Sequence, residues 1–278
     1  MGKYHVLSDA WFKKLFGNEE DKSLLCKYVN AICKLDIKPE YTDFTPQEIK
    51  GVNGERGIRF DVRFVEVENE KYTHVNLEAQ TTTPSERTFN NRKFLYASTL
   101  FKEAFKEGDD YGKKVYSRTI FFMYYDKNLI GNPIKKTGFY EYYDKKFHDQ
   151  IEIYEIYIEN LLQEDFNSLN EYGKMISEIT RILVDPASLK EDKPTNNDIV
   201  KDVRKMVENM PKSEWDILMA DSARQFEQEM QEVNQMYVEQ GAKQNLEDNI
   251  KKLSKVLSEK EIADILELDL DYVKEVLS

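Results

Sequence analysis

Apolar positions at helical spacing open the chain. "AWFKKLFG" follows Ser8 and Asp9, either of which can cap a short helix that Gly17 stops. A second helix is expected over "EEDKSLLCKYVNAICKL", where Leu25, Tyr28, Val29, Ile32 and Leu35 share one stripe. Residues 36–57, with Pro39, Pro46 and three glycines, read as loop. The period then switches to two. In "FDVRFVEVENEKYTHVNLEAQ", alternation places Ile58, Phe60, Val62 and Phe64 on one side and Arg59, Asp61 and Arg63 on the other. Val75, Leu77 and Ala79 continue the apolar side, with His74, Asn76, Glu78 and Gln80 opposite. The polar segment 68–71 is a hairpin turn; with Asn69 and Glu70 at its centre, Asp61 faces Glu78 and Arg59 faces Gln80.

After the hairpin a helix capped by Ser85 is expected, with Phe94, Leu95, Leu100, Phe101 and Phe105 as apolar positions and Gly108 as its end. "VYSRTIFFMYY" and "QIEIYEIYIE" read as strands by their β-branched and aromatic content. From residue 160 onward the pattern is helical, broken near "DPASLKEDKPT" and at Pro211. Helix, hairpin, helix, strands, then helices is the order of an α/β core with a mixed sheet and an α-helical C-terminal extension. The expected divisions are a core over 1–165, its helical completion over 166–212, and a tail over 213–278. In the tail, Phe226, Met230, Val233 and Tyr237 keep 4-3-4 spacing, followed by Ile250, Leu253 and Leu257. Such a seam serves either a coiled coil or a long helix lying on its own core. "SEKEIADILELDLDYVKEVLS" forms two short helices around 268–269. The second carries Asp271 and Glu275 against Lys274, which favours protein contact over entry into a DNA groove. Two chains docking through these C-terminal helices would form a homodimer.

Composition narrows the setting. The chain has 278 residues and a net charge of −12, unevenly spread: residues 1–150 hold 25 Lys and Arg against 23 Asp and Glu, and residues 151–278 hold 15 against 29. The near-neutral front half permits nucleic acid, and the acidic rear half does not invite it. No apolar run approaches the roughly 20 residues of a membrane span, the first residues lack a signal peptide's apolar stretch, and Val6 breaks the myristoylation pattern. Cys26 and Cys33 lie two helical turns apart, beyond disulfide reach, and read as small buried residues. A cytoplasmic protein is expected.

Directly opposed strand residues have Cβ atoms roughly 4.5–5.5 Å apart. Asp61 and Glu78 at that separation repel, and one protonates unless a cation lies between them. The plain alternative is a solvent-facing hairpin neutralised by Arg59 and Arg63. Against it stand His74 and Asn76 on the same face, and Arg92 with Tyr96 at i, i+4 on the following helix.

"LSDAWFKKLFG", "FDVRF", "VNLEAQ", "RKFLYASTLFKEAFKEGDDYGKKVYSRTIFFM" and "IEIYEIYIENL", in this order, resemble the PD-(D/E)XK nuclease family transposases, the recombination-promoting nucleases. The resemblance implies a restriction-endonuclease-like core with a mixed sheet flanked by helices, and a Mg²⁺- or Mn²⁺-dependent DNA endonuclease. It matches Asp61 to the hairpin aspartate, Glu78 to the acidic residue of the (D/E)-x-K element, Gln80 to its lysine position and Asp9 to an acidic residue at the start of the first helix. Asp61, Glu78 and the Ala79 carbonyl would hold the metal. Glutamine can hydrogen-bond a water but brings no charge, so either Lys13, Arg59 or Arg92 supplies it or the activity is weak. The family's arginine corresponds to Arg87 or Arg92. A catalytically idle member acting as an oligomeric binding module is the alternative. A phosphatase or other Mg²⁺ hydrolase rests on the carboxylates alone.

Overall fold

In the computed structural model the described residues are 7–49, 58–80, 86–106, 108–124, 129, 131–190, 194–255 and 257–277. Residues 1–226 form one compact unit and residues 227–278 a second. The first unit begins with α1 (Asp9–Phe16) and α2 (Ser23–Cys33). Ser8 caps α1, its Oγ accepting the Trp11 N–H at 3.4 Å. Gly17 ends α1 as expected, because a Cβ there would lie 2.7 Å from the Lys13 carbonyl oxygen. Leu25, Tyr28, Val29 and Ile32 are buried on α2, and both cysteines are buried and free.

A six-stranded mixed sheet follows, built from β1 (Thr42–Phe44), β4 (Val62–Glu68), β5 (Lys71–Gln80), β6 (Lys114–Met123), β7 (Ile134–Glu141) and β8 (Lys146–Tyr157). Its order is β1-β4-β5-β6-β8-β7. The pairs β1–β4, β4–β5 and β7–β8 are antiparallel, and β5, β6 and β8 run parallel. A separate two-stranded sheet joins β2 (Glu48–Ile49) to β3 (Ile58–Arg59). The segment 36–57, expected as loop, thus contributes β1 and β2. The hairpin register is the expected one: Val62 faces Leu77 and Glu68 faces Lys71. Asn69 and Glu70 have φ of +51° and +62°, the left-handed pair that a two-residue hairpin turn requires.

One face of the sheet packs Val62, Phe64, Val75, Leu77, Ile120 and Phe122 against α1, α2, α5 (Glu171–Val184) and α6 (Asp198–Glu208). The other face packs Phe121, Met123, Ile153 and Tyr157 under α3 (Glu86–Lys102). Phe60 lies on this second side, which corrects the expectation that it shares a face with Val62 and Phe64. The chain bends at 60–61, leaves the main sheet, and pairs Arg59 with Glu48. The expected pair of Arg59 with Gln80 is therefore not formed.

On α3, Phe94 and Leu95 are exposed, against expectation, while Phe89, Lys93, Tyr96, Ala97 and Leu100 are buried. The helix turns a mixed stripe inward because the sheet beneath it is itself polar, carrying Arg63, His74, Asn76, Glu78, Ser117, Thr119 and Glu155. The helix ends at Lys102, before Gly108, and its expected cap Ser85 lies outside the described residues.

After β8 come α4 (Ile158–Gln163), α5, α6 and α7 (Lys212–Leu253), with breaks at 186–190 and Pro211 as expected. The start of α7 belongs to the core: Trp215 is buried and meets Trp11 edge-on at 6.1 Å. In the second unit, α8 (Glu259–Leu266) carries a capping box between Ser258 and Glu261, and α9 (Leu270–Leu277) follows a left-handed Glu267. Ile250, Ile262, Ala263 and Val273 form its core. The terminal pair, expected to need a partner chain, is thus covered by the end of its own long helix. The side chains of Phe226, Met230, Val233 and Tyr237 lie outside the described residues. Among the described residues, no helix is long and apolar enough to cross a membrane.

Candidate active site

The bend at 60–61 brings Asp61 back to the edge of β5. Its backbone N–H donates to Glu78 Oε1 at 3.1 Å, and its own Oδ2 accepts the Ala79 N–H at 2.8 Å. Each carboxylate thus accepts a backbone N–H from the other's segment, and the pair is held by the main chain. Glu78 is completely buried. Burial first, then the charge of Asp61, pushes its carboxyl up to about 8. The Asp61 N–H, the nearby Asn76 amide and Arg92 oppose this. Asp61 is raised too, chiefly by burial, with Asp9 adding to the shift and the Ala79 N–H, Arg92 and Lys13 opposing it.

Arg92 closes the site from α3. Its Nη1 donates to Gln80 Oε1 at 2.7 Å, and its Nη2 donates to Glu78 Oε2 at 3.3 Å and to Tyr96 Oη at 3.2 Å. The guanidinium also stacks 5.0 Å from the Tyr96 ring, and Tyr96 Oη donates to the Arg59 carbonyl at 3.1 Å. Positive charge therefore stands beside position 80, where an ordinary lysine would put it. That charge comes from Arg92; Arg59 contributes only its carbonyl to these contacts, and the side chain of Arg87 lies outside the described residues. Gln80 Nε2 donates to the Ala79 carbonyl at 2.8 Å, so a cation would share that oxygen's second lone pair with this hydrogen bond. Asp9 begins α1 and pairs with Lys13 at 2.7 Å in a solvent-exposed bridge. Both act on Asp61 through their charges.

Two further features lie along the same face. Glu78 pairs in register with Phe121, and Phe121 with Glu155. Glu155 is buried and bound by Lys93 Nζ at 2.7 Å and Tyr157 Oη at 2.9 Å. This buried pair fastens α3 one residue beyond Arg92. Glu155 and Lys93 were not singled out from the sequence, although the carboxylates interrupting "IEIYEIY" are the visible signal. His74 and Asn76 are buried as the pattern implied, and their polar side-chain atoms have no hydrogen-bond partner among the described residues. His74 stands four residues from Glu78, about 13 Å along the strand, and so outside the carboxylate site. Burial, with the charges of Arg63 and Lys113, lowers it to about 4, which keeps it neutral.

The donor set suits a hard cation. A fully buried glutamate beside a second carboxylate is relieved by a divalent ion, and Mg²⁺ needs only one or two carboxylates plus water and phosphate oxygens. No cluster of three or more His, Cys, Asp or Glu residues arranged for a metal occurs among the described residues.

The raised Glu78 carboxyl has a consequence for stability. A folded-state value above the unfolded one means that the contribution is fully present below about 4.5 and is lost as pH rises through about 8. In EDTA the melting temperature of the full chain should fall between about pH 5 and about pH 9. Glu78→Gln should flatten that fall, and excess Mg²⁺ should lift the wild-type curve near pH 8. A decline of equal depth in Glu78→Gln would show that another group causes it.

Comparison with known proteins adds one positive finding. Residues 6–236 match the family model described as PD-(D/E)XK nuclease family transposase. No curated protein and no solved structure matches the chain.

Proposed function

The chain belongs to the PD-(D/E)XK nuclease family transposases, and from that membership we propose a divalent-metal-dependent DNA endonuclease acting at Asp61 and Glu78. The sheet and its flanking helices are those of a restriction-endonuclease-like α/β fold. The carrying observation is the main-chain lock between the two carboxylates, with Glu78 fully buried beside Asp61. Nothing in a structural hairpin calls for that costly juxtaposition.

Asp61 and Glu78 would hold a Mg²⁺ or Mn²⁺ ion, which when bound neutralises phosphate charge and lowers the pKa of a water. The Ala79 carbonyl is a third candidate ligand, through the lone pair that Gln80 leaves free. Arg92 binds Glu78 and Gln80 and keeps a cation at the site where the lysine is missing. Gln80, fixed by Arg92, offers its amide to orient a water. Lys13, released from Asp9, would meet a non-bridging phosphate oxygen, and Asp9 would hold it there until substrate arrives. The retained charge at Arg92 favours an active site over an idle binding module. Supercoiled plasmid incubated with the full chain should be nicked in Mg²⁺ or Mn²⁺ and untouched in EDTA. Binding without cutting in either metal would favour the idle module.

Two properties of the tail follow. Residues 227–278 carry 13 Asp and Glu against six Lys, a net charge of −7. Trp215 belongs to the core, so a truncation must fall after residue 226 rather than near 212. Its removal should strengthen nonspecific DNA binding and leave a shallow dependence on salt, because few phosphates are contacted. Unchanged or weaker affinity would show that the tail does not restrain binding electrostatically. Homodimerisation through the C-terminal helices now rests on the seam of Phe226, Met230, Val233 and Tyr237, since the terminal pair has its own core. Light scattering should give a dimer for the full chain, and a monomer at micromolar concentration rules it out.

A further inference from the structure

The hairpin joining β7 to β8 exposes five large aromatic side chains close together. Phe139, Tyr140, Tyr142, Tyr143 and Phe147 keep between 44 % and 90 % of their surface in contact with solvent. Exposed aromatic residues in such density mark a contact surface. Four of the rings also form an ordered array with lysines. Tyr140 pairs directly with Phe147 across the hairpin. Lys136 Nζ lies 5.2 Å from the Phe147 ring centre, and Lys145 Nζ lies 6.0 Å from Tyr140 and 4.5 Å from Tyr142. Tyr143 continues the array edge-on to Tyr142 at 5.3 Å. The Phe147 ring rests on Gly138, where a Cβ would come within 2.5 Å of ring Cζ. Gly138 thus lets the ring lie flat across its neighbouring strand.

We propose that this lysine–aromatic ladder is a binding platform for single-stranded nucleic acid, with bases stacking on the rings and lysines meeting the phosphates. The proposal rests on the DNA-endonuclease reading and adds an accessory contact to it. Every base has a π-face, so stacking on exposed tyrosines tolerates any sequence, and mobile lysine heads can swing from ring to phosphate. The segment 134–149 holds Lys135, Lys136, Lys145 and Lys146 against Glu141, Asp144 and Asp149. Glu141 is engaged by His148, and Lys136 also pairs with Glu152 at 2.5 Å. A second copy of the chain is the less suitable occupant. Although β7 is an edge strand, its ladder breaks at a bulge between Gly138 and Phe139, and lysines flank it, both devices that oppose edge pairing.

The platform is remote from the carboxylates. Lys146 begins β8 and Glu155, nine residues later, lies in the row of Glu78, which places the hairpin tip on the order of 30 Å from that row along the strand. It would therefore touch nucleic acid flanking the scissile phosphate, and substitutions there leave the catalytic geometry intact.

The test is anisotropy of a labelled oligothymidine with the full chain in EDTA, where nothing is cut. Tyr142→Ala/Tyr143→Ala changes only exposed turn residues and should weaken binding about tenfold or more, whereas Tyr142→Phe/Tyr143→Phe should bind like wild type. An abasic oligomer of the same length should be insensitive to the alanine change, because it offers phosphates without bases. Equal affinity of wild type and the alanine variant overturns the proposal, as does an equal loss with the abasic strand. A shift in oligomeric state without a change in oligomer affinity also overturns it, in favour of a chain–chain contact. If plasmid is nicked normally while these outcomes fail, the platform falls alone; a chain that binds no nucleic acid loses both readings.

Discussion

Glu78→Gln should lose at least about a thousandfold in metal-dependent cleavage, because the carboxylate that would hold the ion, whose stabilisation of the transition state is worth several kcal/mol, is replaced by a neutral amide. The same variant should melt higher than wild type in EDTA above about pH 8. At that pH the wild-type carboxylate is forced to ionise while buried beside Asp61. Activity and stability thus move in opposite directions, the expected signature of a residue kept for chemistry against its folding cost. A structural role would lower both together. Calorimetry of the two chains alongside plasmid nicking measures both effects. A Glu78→Gln chain that cuts at the wild-type rate, or melts lower throughout, contradicts the assignment.

Arg92→Ala should cost about a hundredfold or more in cleavage, as expected if the charge proposed to stand in for the missing lysine is lost. Three bonds end on this guanidinium, to Glu78, Gln80 and Tyr96, so its removal also frees Gln80 to turn. Gln80→Ala alone should cost less, since only hydrogen-bond positioning is lost. The informative variant is Arg92→Ala combined with Gln80→Lys, which places an ammonium where the family's pattern has one. Partial recovery relative to Arg92→Ala would establish that Arg92 stands in for the missing lysine. Single-turnover rates at saturating protein separate this from weaker substrate binding. No recovery, with binding intact, would limit Arg92 to holding Glu78 in place.

Much of the site could be read from alternation and turn chemistry. Asn69 and Glu70 at the hairpin tip set the register, which runs to Val62 opposite Leu77 and so leaves Asp61 next to Glu78, where the bend turns the two carboxylates onto each other's backbone N–H. The bend at 60–61 could not be read that way, because Phe60 satisfies the apolar pattern on either side of the sheet. The buried side on which it lies is decided by α3, which the chain reaches only after the hairpin. The inward face of α3 was hidden for a related reason. Apolar spacing picked Phe94 and Leu95, whereas the buried stripe includes Lys93, which answers a polar sheet face carrying Glu155 from a strand sixty residues downstream. The contacts of Arg92 with Glu78 and Gln80 needed the same tertiary information. Single-element periodicity sees the helix but not the charge it must meet. The self-covering of α8 and α9 likewise depends on Ile250, far enough upstream to be taken for part of the seam.

Whether Asp61 and Glu78 form a metal-dependent phosphodiesterase site is decided by plasmid conversion. Wild-type and Asp61→Ala chains, shown by circular dichroism to be equally folded, are incubated with supercoiled plasmid in Mn²⁺. The wild type should convert it to nicked and linear forms, and Asp61→Ala should leave it supercoiled at the longest time. Conversion at the same rate by Asp61→Ala would place the cutting elsewhere than at this carboxylate pair.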